Sequence, residues 1–362
     1  MRLLFLNPNR SPAYGGVERW MIDAAAGLGA RGHASVMVGR PRAPWLAAAS
    51  RAGLRIREDL HGAWRTWRLA AALRAERPEV VLVKGKKAAR AAAWGRRVSG
   101  GARITLFLGA SHELDPARWV DSHTWHVVDA GIVVAHEAAR SYAEHGFGPP
   151  AKLHVLWKGV DLAAFDAAQG ARAPTRAALG LGADDLAVGA VGRLAWEKGF
   201  DQLLDAIRLM RPRLPRARFF VVGGGRDAEE IARAAAAPDL AGVVTLLGQR
   251  DDVPAFLAAM DIVVQSSRQE VMAQTTLEAM AAGRPVVSTA TMGASEAIAD
   301  GVSGVLVPVG DVGRLAAEVI TFAGDPARRA ALGAAAHARI AAEFTATRML
   351  DRAEAIFRRI AG

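Results

Sequence analysis

Two consecutive series of short apolar runs, each run followed by a loop and a helical pattern, constrain this chain more than any other feature. The first series reads as strands over 3–6, 34–38, 80–83, 104–108, 131–135 and 153–157. The second reads as strands over 187–191, 218–222, 243–247, 262–265, 285–289 and 304–307. Most are continuous rather than alternating, as expected of parallel strands with helices on both faces of the sheet. Helical patterns such as 200–210 and 253–260 separate them. Two doubly wound βαβ sets predict an α/β protein of two Rossmann-like domains facing across a cleft. A length of 362 residues suits two such cores better than one. The Gly/Ala/Pro-rich stretch 170–182 is the expected hinge region, with domains over 1–165 and 166–345. A last amphipathic helix, 346–362, is expected to pack back on the first domain.

The chain has no cysteine, which excludes disulfides, thiolate metal sites and a cysteine nucleophile. Its first ten residues, MRLLFLNPNR, end in Asn-Pro-Asn without a small-residue cleavage site, so they read as a buried strand and not a signal peptide. No stretch approaches the roughly 20 apolar residues that span a bilayer. A soluble cytoplasmic protein is the expectation. Charge is unevenly placed: residues 1–160 hold 24 Lys and Arg against 12 Asp and Glu, and the remainder holds 22 against 24. Such asymmetry fits an anionic partner for the first half, or a solvated arginine-rich face.

The segment from Ser267 to Gly283 carries two acids, Glu270 and Glu278, eight positions apart. A strand ending near Gln265 and a helix from near Thr275 to Gly283 put Glu270 in a loop and Glu278 one turn into the helix. Between them the N–H groups near Thr275, Thr276 and Leu277 form a helix N-terminus suited to a phosphate. A polyol on either side of a diphosphate fits this layout; a helix-start acid and a surface helix acid explain the spacing equally. In Gly192-Arg193-Leu-Ala-Trp-Glu197-Lys198-Gly199 a strand runs into a loop with two cations able to clamp a diphosphate. A solvated turn with a Glu197–Lys198 pair is the plainer alternative. A third loop, Tyr14-Gly15-Gly16-Val17-Glu18, follows the first strand, and its glycines let main chain approach a ligand closely.

Taken together, these segments resemble glycosyltransferase family 4 of the GT-B fold over nearly the whole chain. The resemblance rests on Gly15 to Glu18, Lys158-Gly-Val-Asp161, Arg193 to Gly199, Val221 to Gly225, the pair Glu270/Glu278 with Ala-Met-Ala-Ala-Gly283, and Asp300 to Val307. It implies that Arg193 and Lys198 hold a nucleotide-sugar diphosphate and that Glu278 binds the ribose hydroxyls. Glu270, with the amides of Val271, Met272 and Ala273, would engage the donor sugar, and Gly16 would face the diphosphate. Thr276 and Leu277 complete the implied donor set, with Glu270, Arg193 and Lys198 as its catalytic members. The implied reaction retains anomeric configuration and needs no metal or cofactor. The chain departs from the family at Val271-Met272-Ala273, where a glycine and a bulky residue are common, which implies a differently shaped sugar pocket. A family histidine near the end of the fourth strand has a candidate match in His112, whose register is open.

The acceptor side is expected in the first domain. There Lys84, Lys86 and Lys87 follow a strand, and Trp64-Arg65-Thr-Trp67-Arg68 interleaves aromatics with cations, as at an anionic membrane surface. The expected acceptor is an anionic glycan or lipid of cell-envelope, lipopolysaccharide or capsule synthesis, with peripheral contact at the inner face of the membrane. A GT-B epimerase and a transferase with a small soluble acceptor are the open alternatives. Neither Gly189-Ala-Val-Gly192 nor Gly223-Gly-Gly225-Arg-Asp is a dinucleotide fingerprint, and no nucleic-acid motif accompanies the basic residues. No nicotinamide cofactor and no nucleic acid are expected.

Overall fold

A computed structural model describes residues 1–9, 15–60, 65–99, 101–109, 122–146 and 148–362. The chain divides into two compact units, Met1–Lys158 with Met349–Gly362, and Gly159–Arg348. The chain thus passes from the first unit to the second after Lys158. The last helix, Ala346–Ala361, belongs to the first unit from Met349 onward.

The first unit holds seven strands: β1 (Arg2–Leu6), β2 (Ala34–Val38), β3 (Arg55–Arg57), β4 (Val80–Lys84), β5 (Arg103–Leu108), β6 (Ala130–Val133) and β7 (Leu153–Val155). All pair in parallel, in the order β3-β2-β1-β4-β5-β6-β7. The apolar runs fill its core, where Trp20 stacks on Phe107 with ring centroids 4.5 Å apart. The strand β3 is absent from the expected series for a physical reason. It is a three-residue edge strand, Arg-Ile-Arg, whose two arginines share the buried carboxylate of Glu76 at 2.9 Å each. Charge at a sheet edge discourages pairing with another chain and hides the strand from a search for apolar runs.

The second unit holds six parallel strands: β8 (Leu186–Val191), β9 (Ala217–Val222), β10 (Val244–Leu246), β11 (Ile262–Gln265), β12 (Val286–Thr289) and β13 (Val305–Val307), in the order β10-β9-β8-β11-β12-β13. The helix Phe200–Met210 buries Phe200, Leu203, Leu204, Ile207 and Met210, an i, i+3, i+4, i+7 stripe laid on Val188, Phe219 and Ile262 of the sheet. Each such fully buried side chain contributes about 1.5–3 kcal/mol over its exposed state. The expected hinge stretch is instead helical over Arg172–Ala178. Arg172 and Arg176 cap the carbonyls of Ala258, Ala259 and Met260 and share Asp261, which ties the stretch into the second unit.

In each sheet the strand order reverses once, between β1 and β4 and between β8 and β11. Crossovers leave such a point in opposite directions, so a crevice opens at the carboxyl ends of those strands. Among the described residues no helix is long and apolar enough to cross a membrane.

Candidate functional site

Beyond β8 lies the loop 192–199, and beyond its neighbour β11 lies the loop 266–273. The reversal of strand order therefore brings the two cation- and acid-bearing segments together. Main-chain bonds join them: Arg268 N and Gln269 N both donate to Glu197 O, at 2.9 and 3.1 Å. Gly199 has φ +62°, and a Cβ there would stand 2.2 Å from Ser266 O, so only glycine closes this motif. Arg268 reinforces the junction, forking onto Asp201 at 2.6 and 2.5 Å with its guanidinium 5.3 Å from the Trp196 ring centroid. Its hydrogen bonds hold the Asp201 carboxyl below the usual carboxylate range.

On this frame Lys198 Nζ donates to Glu270 Oε2, across 72 residues of sequence. Both side chains are largely sheltered. Arg193, half exposed, donates to Glu197 Oε1 at 2.6 Å. The two cations expected to meet a diphosphate are thus each held beside a carboxylate, and the Glu197–Lys198 pair that spacing allowed is replaced by these two. Val271 and Met272 are each 1% exposed, so this stretch offers its main chain rather than its side chains.

The helix Gln274–Ala281 starts with Ala273 at its N-cap and no side-chain cap. Its first-turn N–H groups therefore suit an anion. Thr276, Leu277 and Glu278 are all buried in its first turns. The hydroxyl of Thr276 has no partner among the described residues.

Residues that motif reading passed over position this loop. Thr275 Oγ1 donates to Gln265 Oε1 at 3.1 Å, Gln265 Nε2 to Ser267 Oγ at 2.6 Å, and Thr289 Oγ1 to Ser267 O at 2.7 Å. A polar Gln-Ser-Ser ending on an apolar strand is the only local trace of this relay. Gly293 lies so close to the loop that a Cβ would fall 1.9 Å from Val271 O. Gly293→Ala must push main chain against main chain. Its kcat/KM for the donor is expected to fall about tenfold to a hundredfold, because small misplacements of a reacting group are that costly. Steady-state kinetics beside a thermal melt check this; unchanged kcat/KM would remove Gly293 from the positioning set.

In the first unit the Gly15-Gly16 turn is set by Glu18, which is 2% exposed. Its carboxylate accepts from Gly15 N at 3.0 Å, Asn7 Nδ2 at 3.1 Å and Asn9 Nδ2 at 2.8 Å, and Lys84 Nζ stands 3.7 Å away. Burial alone would raise its pKa, but Lys84 and these hydrogen bonds leave it lowered. Lys84 is thus drawn into a structural pair. Lys86, half-buried, and Lys87, exposed, open the helix Lys86–Ser99. His112 lies outside the described residues.

Comparison with known proteins gives this geometry its setting. Residues 14–164 match the family described as Glycosyltransferase Family 4, and residues 185–325 match Glycosyl transferases group 1. The chain belongs to glycosyltransferase family 4. It is 32% identical over 176 residues to the lipopolysaccharide core biosynthesis glycosyltransferase LpsE of Rhizobium meliloti, covering 49% of this chain and 51% of that protein. It is 35% identical over 217 residues to the GDP-mannose-dependent alpha-(1-6)-phosphatidylinositol monomannoside mannosyltransferase of Mycolicibacterium smegmatis, covering 57% and 56%. These matches span about half the length of the curated relatives. The crystal structure of Anabaena HepE with UDP and glucose superposes with a TM-score of 0.86 at 20% identity, over 99% of this chain and 100% of that one. The fold is GT-B.

Proposed function

We propose that this chain is a retaining, metal- and cofactor-independent glycosyltransferase. It moves a sugar from a nucleotide-diphosphate sugar to an anionic glycan or lipid-linked acceptor of the cell envelope, such as a lipopolysaccharide or capsule intermediate. The observation that carries the reading is the meeting of Lys198, on the loop that also carries Arg193, with Glu270 in the loop that leads into an uncapped helix N-terminus, at the strand-order reversal of the second sheet. Cations and main-chain amides preorganised there stabilise charge on a departing diphosphate. The bond from the sugar's anomeric carbon to the phosphate oxygen breaks as the acceptor hydroxyl attacks from the same face. The hydroxyl proton passes to the departing phosphate. Glu270, with the amides of Val271, Met272 and Ala273, orients the sugar, and Glu278 holds the ribose.

Transfer from radiolabelled UDP-, GDP- and ADP-sugars to phosphorylated or lipid-linked acceptors tests this. Incorporation with the α configuration retained is expected from an α-linked donor. Formation of an epimer or free sugar phosphate would replace transfer by the epimerase or phosphorylase chemistry of similar sites, and transfer confined to small soluble acceptors would remove the envelope assignment.

For the acceptor side, support comes from the first unit's charge and one exposed aromatic pair. The helices Arg65–Glu76 and Lys86–Ser99 carry eight Lys and Arg and one acid, Glu76. On them Trp67 and Trp94, 54% and 37% exposed, meet edge to face at 4.7 Å. Tryptophan with surrounding cations suits the headgroup region of an anionic bilayer, which supports a cytoplasmic enzyme in peripheral contact with the membrane's inner face. Sedimentation with phosphatidylglycerol vesicles is expected to fall steeply with salt and to weaken severalfold in Trp67→Ala/Trp94→Ala. Salt-independent or absent sedimentation would remove the membrane contact.

A further inference from the structure

The loop after β9, Gly223-Gly224-Gly225-Arg226, carries a third cation to the Arg193 loop. Main-chain bonds fix its approach: Leu194 N donates to Gly224 O at 3.0 Å, and Asp227 N donates to Leu194 O at 3.1 Å. Glu197 then stands between two arginines. Its Oε1 accepts from Arg193 Nη2 at 2.6 Å and its Oε2 from Arg226 Nη2 at 2.8 Å. The carboxylate is 18% exposed, whereas the arginines are 56% and 66% exposed. Because Glu197 O also accepts two N–H groups, its main chain is anchored and the acid stays where it is.

A sheltered carboxylate is costly without a cation beside it. Arg193 turns from Glu197 to a diphosphate at little cost only if another cation holds the acid. We propose that Arg226 is a positioning residue that does this: by retaining Glu197 it releases Arg193 to the donor diphosphate, without touching the donor itself. The inference rests on reading Arg193 as a diphosphate cation. It predicts opposite signs for the two partners. Without Arg226, Glu197 competes harder for Arg193 and donor binding weakens; without the charge on Glu197, that competition disappears.

Calorimetric titration of UDP, GDP and ADP into the full chain tests this with Arg193→Ala, Arg226→Ala, Glu197→Gln and their pairwise combinations, each first checked for an unchanged melting temperature. For the nucleotide that wild type binds, Arg226→Ala is expected to weaken affinity about three- to fivefold, the scale of a partly exposed ion pair. Adding Glu197→Gln should restore it, and Arg226→Ala should add nothing in the Arg193→Ala background. Wild-type affinity in Arg226→Ala, with Arg193→Ala weakened, would overturn this inference alone. So would a loss that persists with Glu197→Gln or adds to that of Arg193→Ala, since Arg226 would then touch the nucleotide directly. Unchanged affinity in Arg193→Ala, or no binding by wild type, would overturn the donor-site reading and this inference with it.

Discussion

Lys198→Ala is expected to lower transfer by about a hundredfold or more while leaving the fold intact. Removing one preorganised donor from a site of developing negative charge typically costs two to three orders of magnitude in kcat. The structure adds a second consequence. Lys198 is bonded to Glu270, a carboxylate only 12% exposed, so the substitution also withdraws an ammonium from a sheltered acid. Stability should therefore fall along with activity. The double variant Lys198→Ala/Glu270→Gln separates the two effects, because it removes both charges. Its melting temperature is expected to recover toward wild type while transfer stays lost. Transfer that recovers together with stability would mean that Lys198 only holds the loop.

Glu278→Ala is expected to weaken nucleoside diphosphate binding by about ten- to a hundredfold, the scale of one or two hydrogen bonds to a charged acceptor. Glu278 is 6% exposed in the first turns of the helix Gln274–Ala281. The decisive comparison uses a nucleotide lacking the ribose hydroxyls. Wild type should bind it more weakly than the ribonucleotide, and Glu278→Ala should bind both alike. Additive losses from the variant and the deoxy ligand would show that the carboxylate acts elsewhere. Glu278→Gln, which keeps one acceptor oxygen, should lie between.

Much of the fold was legible because burial imposes its pattern on sequence. Strands covered on both faces must be apolar throughout, so β1, β4, β5, β8, β9 and β11 stand out as runs, and the stripe from Phe200 to Met210 can only be a half-buried helix. The edge strand Arg55–Arg57 escaped because an edge needs charge more than apolarity. The helix Arg172–Ala178 escaped because its anchor is Asp261, a residue 85 to 89 positions away, and not any local signal. Lys84 was legible as a basic residue at a strand end. Its commitment to Glu18 was not, since that pairing depends on β1 and β4 lying side by side.

The same division runs through the site. Sequence alone determined the residue types able to clamp a diphosphate, the glycines that let loops pass closely, and the family to which the chain belongs. Tertiary structure decided who faces whom. Lys198 meets Glu270, Arg226 meets Glu197, and Gly293 backs Val271, each across a gap in sequence that only the strand order closes. The reason is physical: burial acts on each residue and leaves a periodic local mark. An ion pair or a close main-chain contact depends on two distant segments and marks neither one.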